Sequence, residues 1–297
     1  MTIGGQPGIP ARDADRIAEA PGVKRSFVRI RPLRASDVQL YRACEDLTEA
    51  LIYVMVVFSP WAFGTTQPWS VWLMNGAGGL LGAMLACKMT IRRLKGYHPP
   101  RWDDGWLELL SDSTGSRLWT SRRLTAGLAW LTIAILVYCL ISAVNARSTF
   151  HPEAISFTYR SYYIPWLPHS FDGGRTWRAF WTYLGLALSF WAIHDWLLGK
   201  ADGEVRGQLR TPQPGGDNSA PLLPARLRRL LWVLAMNGAL LGVEGIAQRL
   251  QGEGKLLFLV KPRVNPGADT QFGPYAYRAN AAQYFNLRPA WPIARIQ

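Results

Sequence analysis

The residues from Ala50 to Cys87 form a stretch of 38 that contains no Asp, Glu, Lys, Arg or His. A helix that crosses the hydrocarbon core of a bilayer needs about 20 apolar residues, so this stretch is long enough for two crossings. The sequence Gly64-Thr-Thr-Gln-Pro68 provides a turn between them, flanked by Trp61 and Trp69, and tryptophan favours the membrane interface. Because hydrocarbon offers the backbone no hydrogen-bond partners, the pattern predicts a helical hairpin in a membrane.

The net charge of +13 does not indicate a nucleic-acid-binding protein, although a basic chain of 297 residues raises that question. The mean hydropathy is close to zero only because apolar and basic residues lie in separate blocks. Most basic residues lie between the apolar blocks, which is typical of loops on the cytoplasmic side of a membrane. We therefore expect membrane lipids, and no nucleic acid, as partners.

Five apolar segments are visible, at about 47–64, 69–87, 124–146, 177–198 and 230–247. A sixth begins near Ala279, but charged residues and prolines at 288–295 interrupt it. The pattern predicts an all-α polytopic membrane protein with five transmembrane helices and a partial or re-entrant sixth. In the fourth segment, Trp177 and Trp196 are separated by about 28 Å of helix, so we expect them to mark its two ends, with Asp195 near the inner boundary.

Three regions follow from this pattern. We expect residues 1–45 to form a basic, mostly disordered cytoplasmic tail, because they are rich in Gly, Pro and charge. Residues 46–287 form the transmembrane helical domain, and 288–297 a short C-terminal tail. The chain has no Walker loop, zinc signature, nucleophile elbow or dinucleotide fingerprint, so we expect neither a metal nor a cofactor.

The distribution of Lys and Arg predicts the orientation. The tail, the 88–123 loop and the 200–229 loop carry 22 of them, whereas the loops on the opposite side carry 8. Cytoplasmic loops are enriched in Lys and Arg, so the N-terminus is predicted to be cytoplasmic. Residues 147–175 and 249–278 then face outward.

The first outward loop, residues 147–175, combines an aromatic run at Tyr159–Trp166 with Arg160 and the single histidines His151 and His169. Aromatic residues with spaced cations suit a sugar or a lipid-linked phosphate. An aromatic belt at the membrane interface explains the same composition and is the interpretation we favour.

The second outward region contains Arg249 at the end of the fifth segment and Arg278 at the start of the sixth, with Gln248 and Asn280 beside them. Arginines at membrane depth are costly and therefore mark candidate sites, and their forked geometry suits a diphosphate. Snorkelling towards headgroup phosphates is an equally good interpretation. For Glu244, which interrupts the fifth segment, we expect a structural ion pair.

Three stretches resemble the O-antigen ligase and O-antigen polymerase superfamily of bacterial inner-membrane proteins. The first is the hairpin sequence Phe58–Trp69, which contains Phe-Gly and Pro-Trp steps, and the second is Leu167–Trp177. The third and most specific is Gly245–Leu250 followed by Phe272–Asn280, where Phe-Gly-Pro precedes Arg-Ala-Asn. Ala279 and Ala281 replace residues that are often Asn or His in the family. The resemblance covers about 45–287 and corresponds to the first half of a typical member.

The resemblance implies metal-independent transfer of a glycan from an undecaprenyl-diphosphate carrier to an acceptor sugar in the inner membrane. By the same resemblance, Arg249 and Arg278 bind the diphosphate with Gln248 and Asn280, and no residue of this chain matches a catalytic base. A chain limited to the first half of the family could also be inactive alone. The alternative is a non-enzymatic auxiliary subunit that binds lipid-linked glycan or another membrane protein of polysaccharide export.

The orientation is tested by single-cysteine labelling in sealed cells after the native cysteines are replaced. A membrane-impermeant maleimide should label cysteines at Ser161 and Ala268, and not at Ser113 or Ser219. Because the prediction depends on the asymmetry of basic residues, labelling at Ser113 or Ser219 from outside would reverse the assigned orientation.

Overall fold

The computed structural model describes residues 34–65, 67–102, 115–201, 203–205, 223–261 and 271–286. The expectations for 1–33 and for the C-terminal tail at 288–297 lie outside these ranges, as do the labelling positions Ser113, Ser219 and Ala268.

The described chain is mostly helical, as the sequence predicts. Its helices are α1 (Ala35–Trp61), α2 (Pro68–Lys95), α3 (Gly115–Val144), α4 (Gly173–Leu198), α5 (Ala225–Gln251) and α6 (Arg278–Asn286). Each of the first five contains all or most of one of the predicted apolar segments. The nine residues of α6 extend for about 13 Å, less than half of a bilayer core.

Three of the described helices are long and apolar enough to cross a membrane: α2, α5, and Arg123–Val144 within α3. The described part of α3 is exposed on most of its apolar surface, which is compatible with contact to lipid. α1 and α4 are of similar length but are not among these three. α1 carries acidic residues as far as Glu49, and α4 ends in His194-Asp195 and is rich in Trp and Tyr.

The residues at the helix ends explain where the helices begin and stop. Pro68 is the first residue of α2, a position that needs no amide hydrogen, and Gly96 ends this helix with a φ of 64°. At the start of α4, the Asp172 carboxylate accepts a hydrogen bond of 3.0 Å from the Gly174 amide. Asp37 similarly accepts from the Arg34 amide at the start of α1.

A β-hairpin between α3 and α4 corrects the all-α prediction. Strands β1 (Ser148–His151) and β2 (Ser156–Tyr159) pair antiparallel, with Ser148 opposite Tyr159. The Phe150 and Phe157 rings face each other with centroids 5.0 Å apart. Short runs of Ser, Thr and aromatic residues favour strands, a signal that we overlooked because the same aromatic residues suit a membrane interface.

α2 and α4 pack closely because small residues line their contact. A Cβ atom added to Gly78 would lie 2.5 Å from the Gly185 carbonyl oxygen and 2.8 Å from the Ser189 hydroxyl oxygen. One turn further along, Gly82 faces the Leu188 side chain in the same way. Small residues let helices approach closely in membrane proteins, and here they place α4 against α2.

The apolar core lies where α1, α2 and α4 meet. Its fully packed residues are Ile52, Leu81, Leu85, Ala192 and Trp196. Trp196 is completely buried, with its indole nitrogen 3.3 Å from the Glu49 carboxylate. The sequence predicts that this tryptophan marks the inner end of the fourth segment, and it lies in the last turn of α4. Its ring belongs to the core, because α1 covers this end of α4.

The contact between α2 and α4 can be tested with a pair of adjacent glycines. Gly78→Leu should destabilise the protein by about 1–3 kcal/mol, because the side chain would overlap the Gly185 backbone. Gly79→Leu is the matched control, since a Cβ added there meets nothing within 4 Å and leucine favours the helix. Thermal unfolding in detergent measures both. Equal melting temperatures for the two variants would contradict the close packing.

Candidate functional site

The segment 271–286 folds back over the C-terminal half of α5. A Cβ atom added to Gly245 would lie 2.5 Å from the Phe272 ring, so only glycine permits this approach. Gly273, with a φ of 57°, lies against the Glu244 carboxylate. The two stretches Gly245–Leu250 and Phe272–Asn280 are therefore in contact, although about 20 residues separate them in the chain. We call this region the outer site, after the outward orientation that the distribution of basic residues predicts.

Polar contacts with α1 hold the outer site in place. The Trp61 indole donates to the Asn237 side-chain oxygen over 2.8 Å, and the Asn237 amide donates to the Tyr284 hydroxyl over 3.1 Å. Gly64, at a φ of 64°, leaves room for the Tyr275 ring. The turn after α1, the middle of α5 and α6 are thereby joined at one end of the bundle.

Buried acceptor atoms in the outer site lack donors. Glu244 and Gln248 are four residues apart and so lie on one face of α5. Within the described ranges, neither carboxylate oxygen of Glu244 nor Oε1 of Gln248 has a hydrogen-bond partner. The Gln248 amide nitrogen does donate, over 2.5 Å, to the Lys255 carbonyl. The structural ion pair expected for Glu244 is not found among the described residues.

The four residues predicted from the sequence differ in exposure. Gln248 is buried, whereas Arg249, Arg278 and Asn280 are exposed. Arg249 lies in the last turn of α5 and Arg278 begins α6. Convergence of the two guanidinium groups on one ligand stays a prediction. In the described ranges no group of three His, Cys, Asp or Glu side chains is arranged to hold a metal ion.

A network of buried charges occupies the opposite end of the bundle, where α1 and α5 begin and α2 and α4 end. We call it the basic end. At its centre the Lys88 side chain has no exposed surface. Its Nζ lies 2.8 Å from Oε2 of Glu45 and 3.1 Å from Oδ2 of Asp195, so it links α1, α2 and α4.

Asp195 accepts from two further cations. Arg92 places one guanidinium nitrogen 2.7 Å from each carboxylate oxygen, and Arg101 lies 2.8 Å from Oδ1. The carboxylate is 8% exposed, and a charge so buried needs compensation of this kind. Three cations around one carboxylate leave this end with a local excess of positive charge.

The first turn of α5 joins the same network. Arg226 pairs with Glu45 and donates over 2.7 Å to the Trp196 carbonyl, passing Gly199, where a side chain would collide with it. One turn along, Arg229 lies 2.6 Å from Glu49. Side chains from four helices thus converge at the basic end.

A cavity of about 540 Å³ opens beside this network. Tyr41 is part of its lining, and burial, together with the neighbouring Glu45 carboxylate, raises the pKa of the Tyr41 phenol to about 12. Tyr41 therefore stays a neutral hydrogen-bonding group at physiological pH. Its ring also lies 5.9 Å from the Arg92 guanidinium carbon.

Sequence reasoning missed the basic end, because Lys88, Arg92 and Arg226 were counted only as loop cations that set the orientation. One signal was present: Glu45, Lys88 and Asp195 each lie within a few residues of the predicted inner end of an apolar segment. Charges at the same depth on neighbouring helices can pair across the bundle.

No family model, curated protein or solved structure matches this chain.

The buried network predicts a strong effect of Asp195→Asn. The variant leaves Lys88, Arg92 and Arg101 facing a neutral amide, and losing one partner of a buried ion pair costs about 3–5 kcal/mol. Chemical unfolding in detergent measures this loss. Glu253→Gln is the control, because it removes one member of an exposed pair with Lys255 and should leave stability unchanged. If the two variants had equal stability, the network would not hold the bundle together.

Proposed function

We propose that this chain is a multispanning inner-membrane protein of the O-antigen-ligase type, which binds an undecaprenyl-diphosphate-linked glycan at the outer site. The observation that carries the proposal is the contact of Gly245 with Phe272. It joins the two stretches on which the family resemblance chiefly depends.

In this proposal the chain crosses the membrane five times, and α6 enters from the outer face. α1 and α4 cross because both pack along α2, and α4, with 26 residues, extends about 39 Å. Their polar ends meet at the basic end, which lies at the cytoplasmic boundary. The N-terminus is then cytoplasmic and the outer site faces away from the cytoplasm.

The outer site offers exposed hydrogen-bond donors to a lipid-linked glycan. Arg249 and Arg278 are exposed donors suited to the diphosphate, whose negative charge needs compensation close to lipid. In transfer, an acceptor hydroxyl attacks the anomeric carbon, the bond from that carbon to the diphosphate breaks, and the hydroxyl proton passes to the departing diphosphate. Stabilising the leaving diphosphate is the task of the arginines.

Binding of purified undecaprenyl-diphosphate glycan to the full chain in detergent tests this assignment. Arg249→Lys and Arg278→Lys should each weaken binding about tenfold, because lysine keeps the charge but loses the bidentate geometry. Arg93→Lys, an exposed position in the last turn of α2 at the opposite end of the bundle, is the matched control. Unchanged binding in both variants would favour snorkelling arginines and overturn the proposed site.

A transfer assay with an added acceptor glycan separates the two roles that this site could serve. Product formation that is lost in Arg249→Lys identifies a ligase. Binding without transfer identifies the auxiliary subunit that only holds the lipid-linked glycan.

A further inference from the structure

We propose that the cavity at the basic end is a second binding site, which takes a phosphate ester. This site lies at the opposite end of the bundle from the outer site and does not depend on the function proposed there. Charge, unpaired donors and position in the bundle each point to the same ligand chemistry.

The charges around the cavity favour an anion. Five basic and four acidic side chains line it: Arg42, Arg101, Lys200, Arg226 and Arg229 against Glu45, Asp46, Glu49 and Asp195. Two more cations reach these acids from outside the lining, since Lys88 pairs with Glu45 and Asp195, and Arg92 with Asp195. Basic side chains therefore outnumber acidic ones around the cavity. A cleft with an excess of positive charge attracts and concentrates anionic ligands.

The buried polar atoms that the structure describes at this end include unpaired hydrogen-bond donors but no unpaired carboxylate acceptors. Among the described residues, three buried N–H donors at this end have no acceptor: Nε of Arg92, Nε of Arg226 and the Trp102 indole nitrogen. Among the same residues, no buried carboxylate oxygen of the network lacks a hydrogen-bond partner. Arg226 is 8% exposed and lines the cavity. Arg92 and Trp102 do not line the cavity, so an anion bound there would accept from Arg226 and the other lining cations.

The position of the cavity suits a phosphate at the membrane surface. Lys88 directly follows the uncharged stretch Ala50–Cys87, so the network begins where the apolar length of α2 ends. Basic groups at this depth contact anionic headgroups. A volume of about 540 Å³ also lies in the range of small-molecule sites and can hold a phosphate with its glycerol.

Two sources can supply this group: an anionic lipid, whose headgroup would enter from the membrane, or a soluble phosphate ester. Purified full-length protein in a phosphate-free maltoside detergent is titrated with short-chain phosphatidic acid, and bound lipid is counted by native mass spectrometry. Diacylglycerol with the same chains controls for the acyl contribution. Glycerol 3-phosphate and inorganic phosphate form the soluble arm.

Arg101→Gln and Arg229→Gln should each weaken phosphatidic acid binding about fivefold. Arg175→Gln is the matched control, because Arg175 is 79% exposed and lies at the other end of the bundle. Arg101 pairs with Asp195, so this variant carries a risk of misfolding. The Arg229 side chain is 49% exposed, so we expect Arg229→Gln to fold and its phosphatidic acid binding to be measurable.

The results distinguish a lipid phosphate site, a site for a soluble ester and the absence of a site. Weaker binding in both variants but not in Arg175→Gln, with no binding of diacylglycerol, supports a lipid phosphate site. Competition by glycerol 3-phosphate that Arg229→Gln abolishes assigns the site to a soluble ester. If Arg229→Gln binds phosphatidic acid and glycerol 3-phosphate as the unmodified chain does, the proposal is overturned.

Discussion

The arrangement of the helices depends on the ion pairs of one buried group, the ammonium of Lys88. A lysine without exposed surface is stable only if its charge is compensated, and the compensation comes from Glu45 on α1 and Asp195 on α4. Apolar helices slide against one another at little cost in lipid, because leucine packs equally well at many registers. A charge triad across three helices permits one register. The glycine contact at Gly78 then brings α2 and α4 close enough for the triad to form.

The two ends of the bundle have opposite polar character. The basic end has cations in excess and buried donors without acceptors, whereas the outer site has the buried acceptors of Glu244 and Gln248. Such imbalances are expensive in a protein interior, and binding sites are where they persist. The two ends therefore differ in the buried groups left without partners among the described residues: N–H donors at the basic end and acceptor oxygens at the outer site.

Much of the fold was predictable because it depends on local composition. The uncharged stretch Ala50–Cys87 predicts a helical hairpin, and α1 and α2 form it around Gly64-Thr-Thr-Gln-Pro68. The β-hairpin was missed because its aromatic residues suit two environments equally well. The contacts of Trp196 were not predictable for a related reason: a tryptophan near a helix end can face lipid or a neighbouring helix, and only the position of α1 decides between them.

The sequence alone determined the helical class, the apolar segments and the uneven distribution of basic residues, since these follow from residues close together in the chain. The tertiary structure decided which charges meet. Lys88, Glu45, Asp195 and Arg226 are far apart in sequence, and their pairing depends on helix register and rotation. The contact of Phe272 with Gly245 likewise requires the chain to fold back over α5. Hydropathy reports how deep a residue lies in the membrane, but not which neighbour it finds there, and both candidate sites depend on those neighbours.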